Sequence, residues 1–153
     1  MYKITDNGMR THGSRFQWEL GVKQTIARTL GYPDERASLC SGAWFHYYET
    51  KLAARALNSI QGAFIERDCR LFKIEVGGLI RQGYGKTGCT ELTLLEEVPF
   101  VPMGSMELMN ITGVDSIPLH WVNNPQRIKR YIERKWDKYG PRFDMLEKAN
   151  ASI

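Results

Sequence analysis

Arg70-Leu71-Phe72-Lys73-Ile74-Glu75-Val76, followed by Gly77-Gly78 and answered by Cys89-Thr90-Glu91-Leu92-Thr93-Leu94-Leu95-Glu96-Glu97-Val98, decides the fold. In the first segment Phe72, Ile74 and Val76 fall on one side and Lys73 with Glu75 on the other. Period-two alternation of this kind marks a half-buried strand. The second segment has the composition of a strand as well. Gly77-Gly78 turns the chain, Leu79–Gln82 makes a short strand, and Gly83–Gly88 forms a glycine-rich loop. The two long segments then pair as an antiparallel hairpin across the glycines.

The flanking sequence extends a sheet and adds helices. Lys3-Ile4-Thr5 reads as a short strand, and Asp6-Asn7-Gly8 as a turn. Phe16-Gln17-Trp18-Glu19-Leu20 alternates and reads as a half-buried strand ended by Gly21; residues 22–38 give no clear pattern. Ala43-Trp44-Phe45-His46-Tyr47-Tyr48 is an aromatic strand, with Trp44, His46 and Tyr48 on one face and Phe45 and Tyr47 on the other. Thr50 caps a helix over Lys51–Ile60, where Leu52, Ala53, Ala56, Leu57 and Ile60 keep helical spacing. Asn124 and Pro125 suit the start of a second helix, Gln126–Tyr139, stopped by Gly140-Pro141, with a short last helix over 142–148. The expected class is α+β: a mostly antiparallel sheet of five or six strands, one helix after residue 50 and a basic C-terminal helix. Residues 1–153 are expected to form a single domain, with a sheet core over 1–102, an irregular connection over 103–125 and a basic helical tail over 126–153.

Charge is the second strong signal. The chain carries 21 Lys and Arg against 17 Asp and Glu. Residues 1–125 hold 13 basic and 13 acidic groups, and residues 126–153 hold 8 and 4, so the formal net charge of +4 resides in the tail. Ile128, Tyr131, Ile132, Trp136 and Tyr139 make its apolar stripe, and Arg127, Lys129, Arg130, Arg134, Lys135 and Lys138 cover the rest. Such a helix is either docked with a solvated charged face, or a basic surface for phosphates or an acidic protein partner. A membrane-surface helix is disfavoured by the two tyrosines on its apolar side.

Other motifs carry less. Three cysteines, Cys40, Cys69 and Cys89, lie far apart with no CxxC spacing. They read as reduced, buried thiols, with a zinc site from the cysteines and His46 as the lesser alternative. Gly83-Tyr84-Gly85-Lys86-Thr87-Gly88 lacks the first glycine of a phosphate loop, Ile80 standing in its place, and a strand follows where a helix is needed. His12 and His46 are candidate acid–base groups beside the default reading of packed histidines. No apolar run is long enough to span a membrane, and the first residues lack the apolar stretch of an export signal, so the expected location is the cytoplasm and no membrane partner is expected.

Taken as a spaced set, Arg15-Phe16-Gln17-Trp18, Leu39-Cys40-Ser41-Gly42 leading into Ala43–Tyr48, Arg70–Val76 and Gly88-Cys89-Thr90 resembles an uncharacterised domain family of bacteriophage and prophage genomes. The resemblance covers about residues 1–100. It implies a phage-type accessory protein that binds a host protein or nucleoprotein, as defence inhibitors such as anti-CRISPR proteins do. The partner surface under that reading is Arg127, Lys129, Arg130, Arg134, Lys135 and Lys138, and no cofactor is needed. The layout is also similar to compact ADP-ribosyltransferase-like folds. That similarity implies NAD as cofactor, with Arg15, His46, Tyr48 and Glu91 as the catalytic candidates. A nucleic-acid-binding protein is the third reading.

Overall fold

A computed structural model describes residues 1–11, 16–26, 38–39, 42–61, 69–83, 87–101, 103, 107, 110, 127, 130–131 and 134–151. The elements in chain order are β1 (Tyr2–Asp6), β2 (Gln24–Thr25), β3 (Phe45–Tyr47), α1 (Lys51–Gln61), β4 (Cys69–Gln82), β5 (Thr87–Val98) and α2 (Trp136–Ala151). The fold is α+β, built on an antiparallel five-stranded sheet in the order β1-β4-β5-β2, with β3 also pairing with β5.

The sheet curls back on itself. β3 runs along β5 with Phe45 opposite Cys89 and Tyr47 opposite Thr87. One residue later Tyr48 meets the start of β1: the Tyr2 N–H donates to the Tyr48 carbonyl at 2.8 Å, and the Tyr48 N–H donates back at 2.9 Å. Strands β1, β4, β5 and β3 thus form a ring, which removes free edges where the pair closes. Inside the ring lie Trp18, Phe45, Tyr47, Phe72, Ile74, Cys89, Leu92 and Leu94. Outside, Ile4 of β1 and Leu71 of β4 pack under α1 and α2 against Leu52, Ala53, Ala56, Leu57, Tyr139 and Phe143. β1 and β4 are therefore covered on both faces near Ile4 and Leu71. The burial of Phe72 and Ile74, with Lys73 and Glu75 exposed, follows the alternation expected of this segment.

Helix α1 starts where its cap places it. The Ala53 N–H donates to Thr50 Oγ1 at 3.0 Å, which satisfies one of the unpaired donors of the first turn. Its small residues, Ala53, Ala54 and Ala56, are buried and allow close approach to the sheet and α2.

Four expectations are corrected. First, Gly77-Gly78 does not turn the chain. β4 runs unbroken from Cys69 to Gln82, and the register slips between Gly77 and Ile80, a β-bulge. Gly78 takes φ +69°, and a Cβ there would stand 2.1 Å from Thr90 Oγ1, the group that accepts the Leu79 N–H at 2.9 Å. Gly78→Ala therefore combines left-handed strain, a clash and a lost hydrogen bond, for an expected loss of about 2 kcal/mol of stability. Urea denaturation checks this, and an unchanged midpoint would show that the strand can shed its bulge. Second, Phe16–Leu20 forms no strand. It is tied by isolated bridges, Arg10 to Gln17 and Leu20 to Leu94, because the segment folds against residues 9–11 to bury Trp18. Third, the region after Gly21 contributes β2, with Gln24 opposite Leu92. Fourth, Gly140-Pro141 does not stop the C-terminal helix: α2 continues through Pro141 to Ala151. Tyr139 and Phe143, both buried against α1, hold the helix across a residue that lacks a donor. Apart from Met103, Glu107 and Asn110, the connection expected over 103–125 lies outside the described residues, as does the Gly83–Gly88 loop between 84 and 86.

Candidate functional site

Aromatic side chains from Phe16–Trp18 and from β3 meet in the ring interior. Phe16, Trp18 and Phe45 form a three-ring cluster with centroids 4.8, 5.4 and 5.0 Å apart. The Cys89 thiol donates to the Phe45 carbonyl at 3.6 Å, and burial pushes that thiol up to about 12. At Gly88, opposite His46, a Cβ would stand 2.6 Å from Leu39 Cδ2 and 3.0 Å from the Trp44 side chain. Leu39 and Trp44 fill the space beside Gly88, which leaves no room for a side chain there.

A buried lysine sits in the same place. Lys3 lies opposite Phe72 and so sends its side chain into the aromatic interior, where the residue is 8% exposed. Its Nζ donates to the His46 carbonyl at 2.6 Å and rests 5.4 Å from the centre of the Trp18 ring. Desolvation lowers its pKa to about 8, and the nearby Cys89 acts in the opposite direction. The Trp18 Nε1 is buried without a hydrogen-bond partner among the described residues. Sequence reading missed Lys3. Alternation along Tyr2–Thr5 assigns it a face, but only the nonlocal closure by β3 shows that this face is interior.

The catalytic candidates do not assemble into one site. The His46 ring Nε2–H donates to the Leu39 carbonyl, which makes the ring a brace between β3 and the preceding segment. Tyr48 is buried at the ring closure. Glu91 lies on the outer side of β5, over Gly77, with a carboxylate 3.2 Å from Lys23 Nζ. His46 opposes Gly88, three residues from Glu91, which puts the two about 10 Å apart along the strand. Arg15 and His12 lie outside the described residues, as does Cys40. Cys69 is half-buried, and no group of three potential metal ligands occurs among the described residues.

The basic surface is the remaining candidate. Lys129, Ile128 and Ile132 are outside the described residues. Arg127, Arg130 and Arg134 occupy helical positions, and all three are exposed, as are Lys135, Lys138 and Arg142. The Lys135 N–H donates to the Tyr131 carbonyl at 3.2 Å, and the Tyr139 N–H to the Lys135 carbonyl at 3.1 Å, so the helical path runs through Lys135 into α2. Tyr131 and Tyr139 face each other with ring centres 6.1 Å apart. Lys135 Nζ lies 5.4 Å from the Tyr131 ring and Lys138 Nζ 5.3 Å from the Tyr139 ring. The aromatic pair thus positions two ammonium groups at the surface. Among the described residues, Arg130, Arg134, Lys135, Lys138 and Arg142 have no carboxylate within ion-pair distance; the ion pairs formed are Lys23–Glu91, Arg55–Glu107, Arg70–Glu97 and Lys73–Glu96.

No family model, curated protein or solved structure matches this chain. Its functional reading therefore rests on its own geometry. No helix among the described residues is long and apolar enough to cross a membrane.

Proposed function

We propose that this protein acts by binding, using the basic surface that runs from Arg127 into α2 to engage an acidic face of a host protein or nucleoprotein. One observation carries the reading: between residues 130 and 142 five exposed cations, Arg130, Arg134, Lys135, Lys138 and Arg142, outnumber the two acids Glu133 and Asp137, and none of the five makes an ion pair among the described residues. Unpaired surface charges of one sign raise encounter rates with an oppositely charged partner and fix its orientation. The phage-type origin that the sequence resemblance implies is part of the proposal: it would place the partner in the host cell and give a small binding protein of this kind the role of inhibiting a defence complex, as an anti-CRISPR protein does.

The test is the double reversal Arg130→Glu and Arg134→Glu. Both side chains are exposed, so the melting temperature should move by no more than about 2 °C. Proteins captured from a bacterial host lysate by the wild-type chain should be lost from the variant. Capture of the same proteins with equal yield by both chains rules out this surface.

A further inference from the structure

The face of α2 turned away from its anchors shows what kind of partner the basic surface fits. Lys138, Arg142, Met145 and Ala149 are all exposed and follow one another at spacings of four, three and four, with the exposed Pro141 beside Arg142. On the opposite side Tyr139 and Phe143 are buried, and Leu146 is half-buried. Met145 is 61% exposed, more than any other large apolar side chain among the described residues. A single exposed apolar residue is ordinary on a protein surface. Met145 differs in its setting: Arg142 stands one turn before it, Lys138 two turns before it, and the exposed Lys148 one turn after, while the exposed acids of α2, Asp137 and Asp144, fall at helix positions on the flank away from Arg142.

A phosphate backbone has no use for that thioether. Nucleic acid would engage the cations and leave Met145 dehydrated against polar groups or untouched. Protein interfaces, by contrast, are enriched in Met and Arg at their centres and polar at their rims. The unbranched, polarisable Met side chain adapts to a socket that is not perfectly matched. We propose that the partner is a protein whose docking site is a shallow apolar groove with carboxylates along one rim, with α2 laid into it, Met145 as the central anchor, and Lys138 and Arg142 meeting that rim. The inference rests on the binding reading above and narrows it from any acidic surface to an amphipathic protein surface.

Three fluorescein-labelled probes test it by anisotropy: a helical peptide with a Leu and Phe face flanked by Glu, a poly-glutamate peptide of equal charge, and a short duplex DNA. The amphipathic peptide should bind about tenfold more tightly than poly-glutamate, since burying one Met-sized side chain is worth that factor or more. Met145→Ser should remove the tenfold preference and leave poly-glutamate binding unchanged, while Met145→Leu should retain it. Lys138→Glu with Arg142→Glu should weaken both peptides. If Met145→Ser is neutral while the charge reversals weaken both peptides, the apolar anchor is overturned and the acidic-surface reading survives. Tighter, steeply salt-dependent binding of the duplex identifies nucleic acid as the partner and overturns the proposal. Absence of binding to every probe also overturns it, and the lysate capture then decides the broader reading alone.

Discussion

Lys3→Met should make this protein more stable at neutral pH, and the gain should shrink as the pH rises towards 10. Few single substitutions of a charged residue are expected to stabilise a protein. The Lys3 ammonium is carried into an interior of aromatic and aliphatic side chains, where it has the His46 carbonyl at 2.6 Å and the Trp18 ring face, and no carboxylate among the described residues. Burial lowers its pKa from 10.5 to about 8. At pH 7 the group is charged in both states, and the fold bears the full desolvation cost. With about 1.4 kcal/mol for each pH unit between the two values, that cost is about 3 kcal/mol. Between pH 8 and 10.5 the unfolded chain binds more protons than the folded one, so this contribution to stability rises with pH and is complete above 10.5.

Methionine keeps the length of the side chain and removes the charge. It also leaves the His46 carbonyl without its donor, a loss of about 1 kcal/mol. The net expectation at pH 7 is a gain of about 2 kcal/mol, in line with buried ionic groups that can be replaced by apolar ones without penalty. Two other groups titrate in the same range and oppose the lysine. Burial raises the pKa of Cys89 to about 12, and burial also raises that of Tyr47, helped by Glu49. Each contributes stability that is present below its unfolded pKa and lost as the pH climbs above it. Tyr47 keeps its surroundings in the variant and cancels in the difference between variant and wild type, whereas Cys89 is coupled to Lys3, whose charge lowers the thiol's pKa, so the comparison is made in a Cys89→Ala background. Urea denaturation at pH 7 and pH 10 measures that difference. A methionine variant less stable at pH 7, or a difference that does not change with pH, would mean that the hydrogen bond to His46 outweighs desolvation.

Local rules made much of this fold legible, and the failures share one cause. Thr50 capped α1 as its side chain and position require, and the alternation at Phe72–Val76 gave the correct faces, because both depend on neighbours a few residues away. The gathering of charge beyond residue 125 was visible by counting, because exposed cations need no packing context. Lys3 was not visible as a buried charge, since its face is enclosed by a strand forty residues later through the Tyr2–Tyr48 pair. Gly77-Gly78 has the composition of a turn. Only the pairing of β4 with β5 over its full length reveals a bulge that re-registers two long strands. Of the catalytic candidates, His46, Tyr48 and Glu91 were chosen for residue type and strand position. Their surroundings, a backbone brace, a ring closure and an ion pair with Lys23, are set by residues distant in sequence.

Phe143→Ala should cost about 4 kcal/mol, the range for removing a fully buried aromatic ring, and its effect should fall first on α2. This helix is poorly supported by its own sequence. Pro141 cannot donate to the Asp137 carbonyl, and Gly140 adds backbone freedom, so about 3 and 1 kcal/mol of helix propensity are forgone relative to alanine at these two positions. Tertiary anchoring replaces that deficit: Phe143 and Tyr139 pack with Leu52, Ala53, Ala56 and Leu57 of α1 and with Leu71 and Ile4 of the sheet. Without the ring, the anchor that outweighs the proline is halved, and α2 should detach before the strand ring unfolds. The expected signature is a melting temperature lower by about 10 °C, together with helical circular dichroism that declines ahead of the near-ultraviolet signal of the Trp18 cluster. Pro141→Ala in the same background should restore part of the loss, since it returns a donor and removes a steric conflict with the preceding turn. Detachment also dismantles the surface formed by Lys138, Arg142 and Met145, so Phe143→Ala should weaken partner binding at temperatures where the sheet is intact. A variant that loses stability in one cooperative step, with α2 and the ring melting together, would show that the helix is bound to the sheet more strongly than its two aromatic anchors explain.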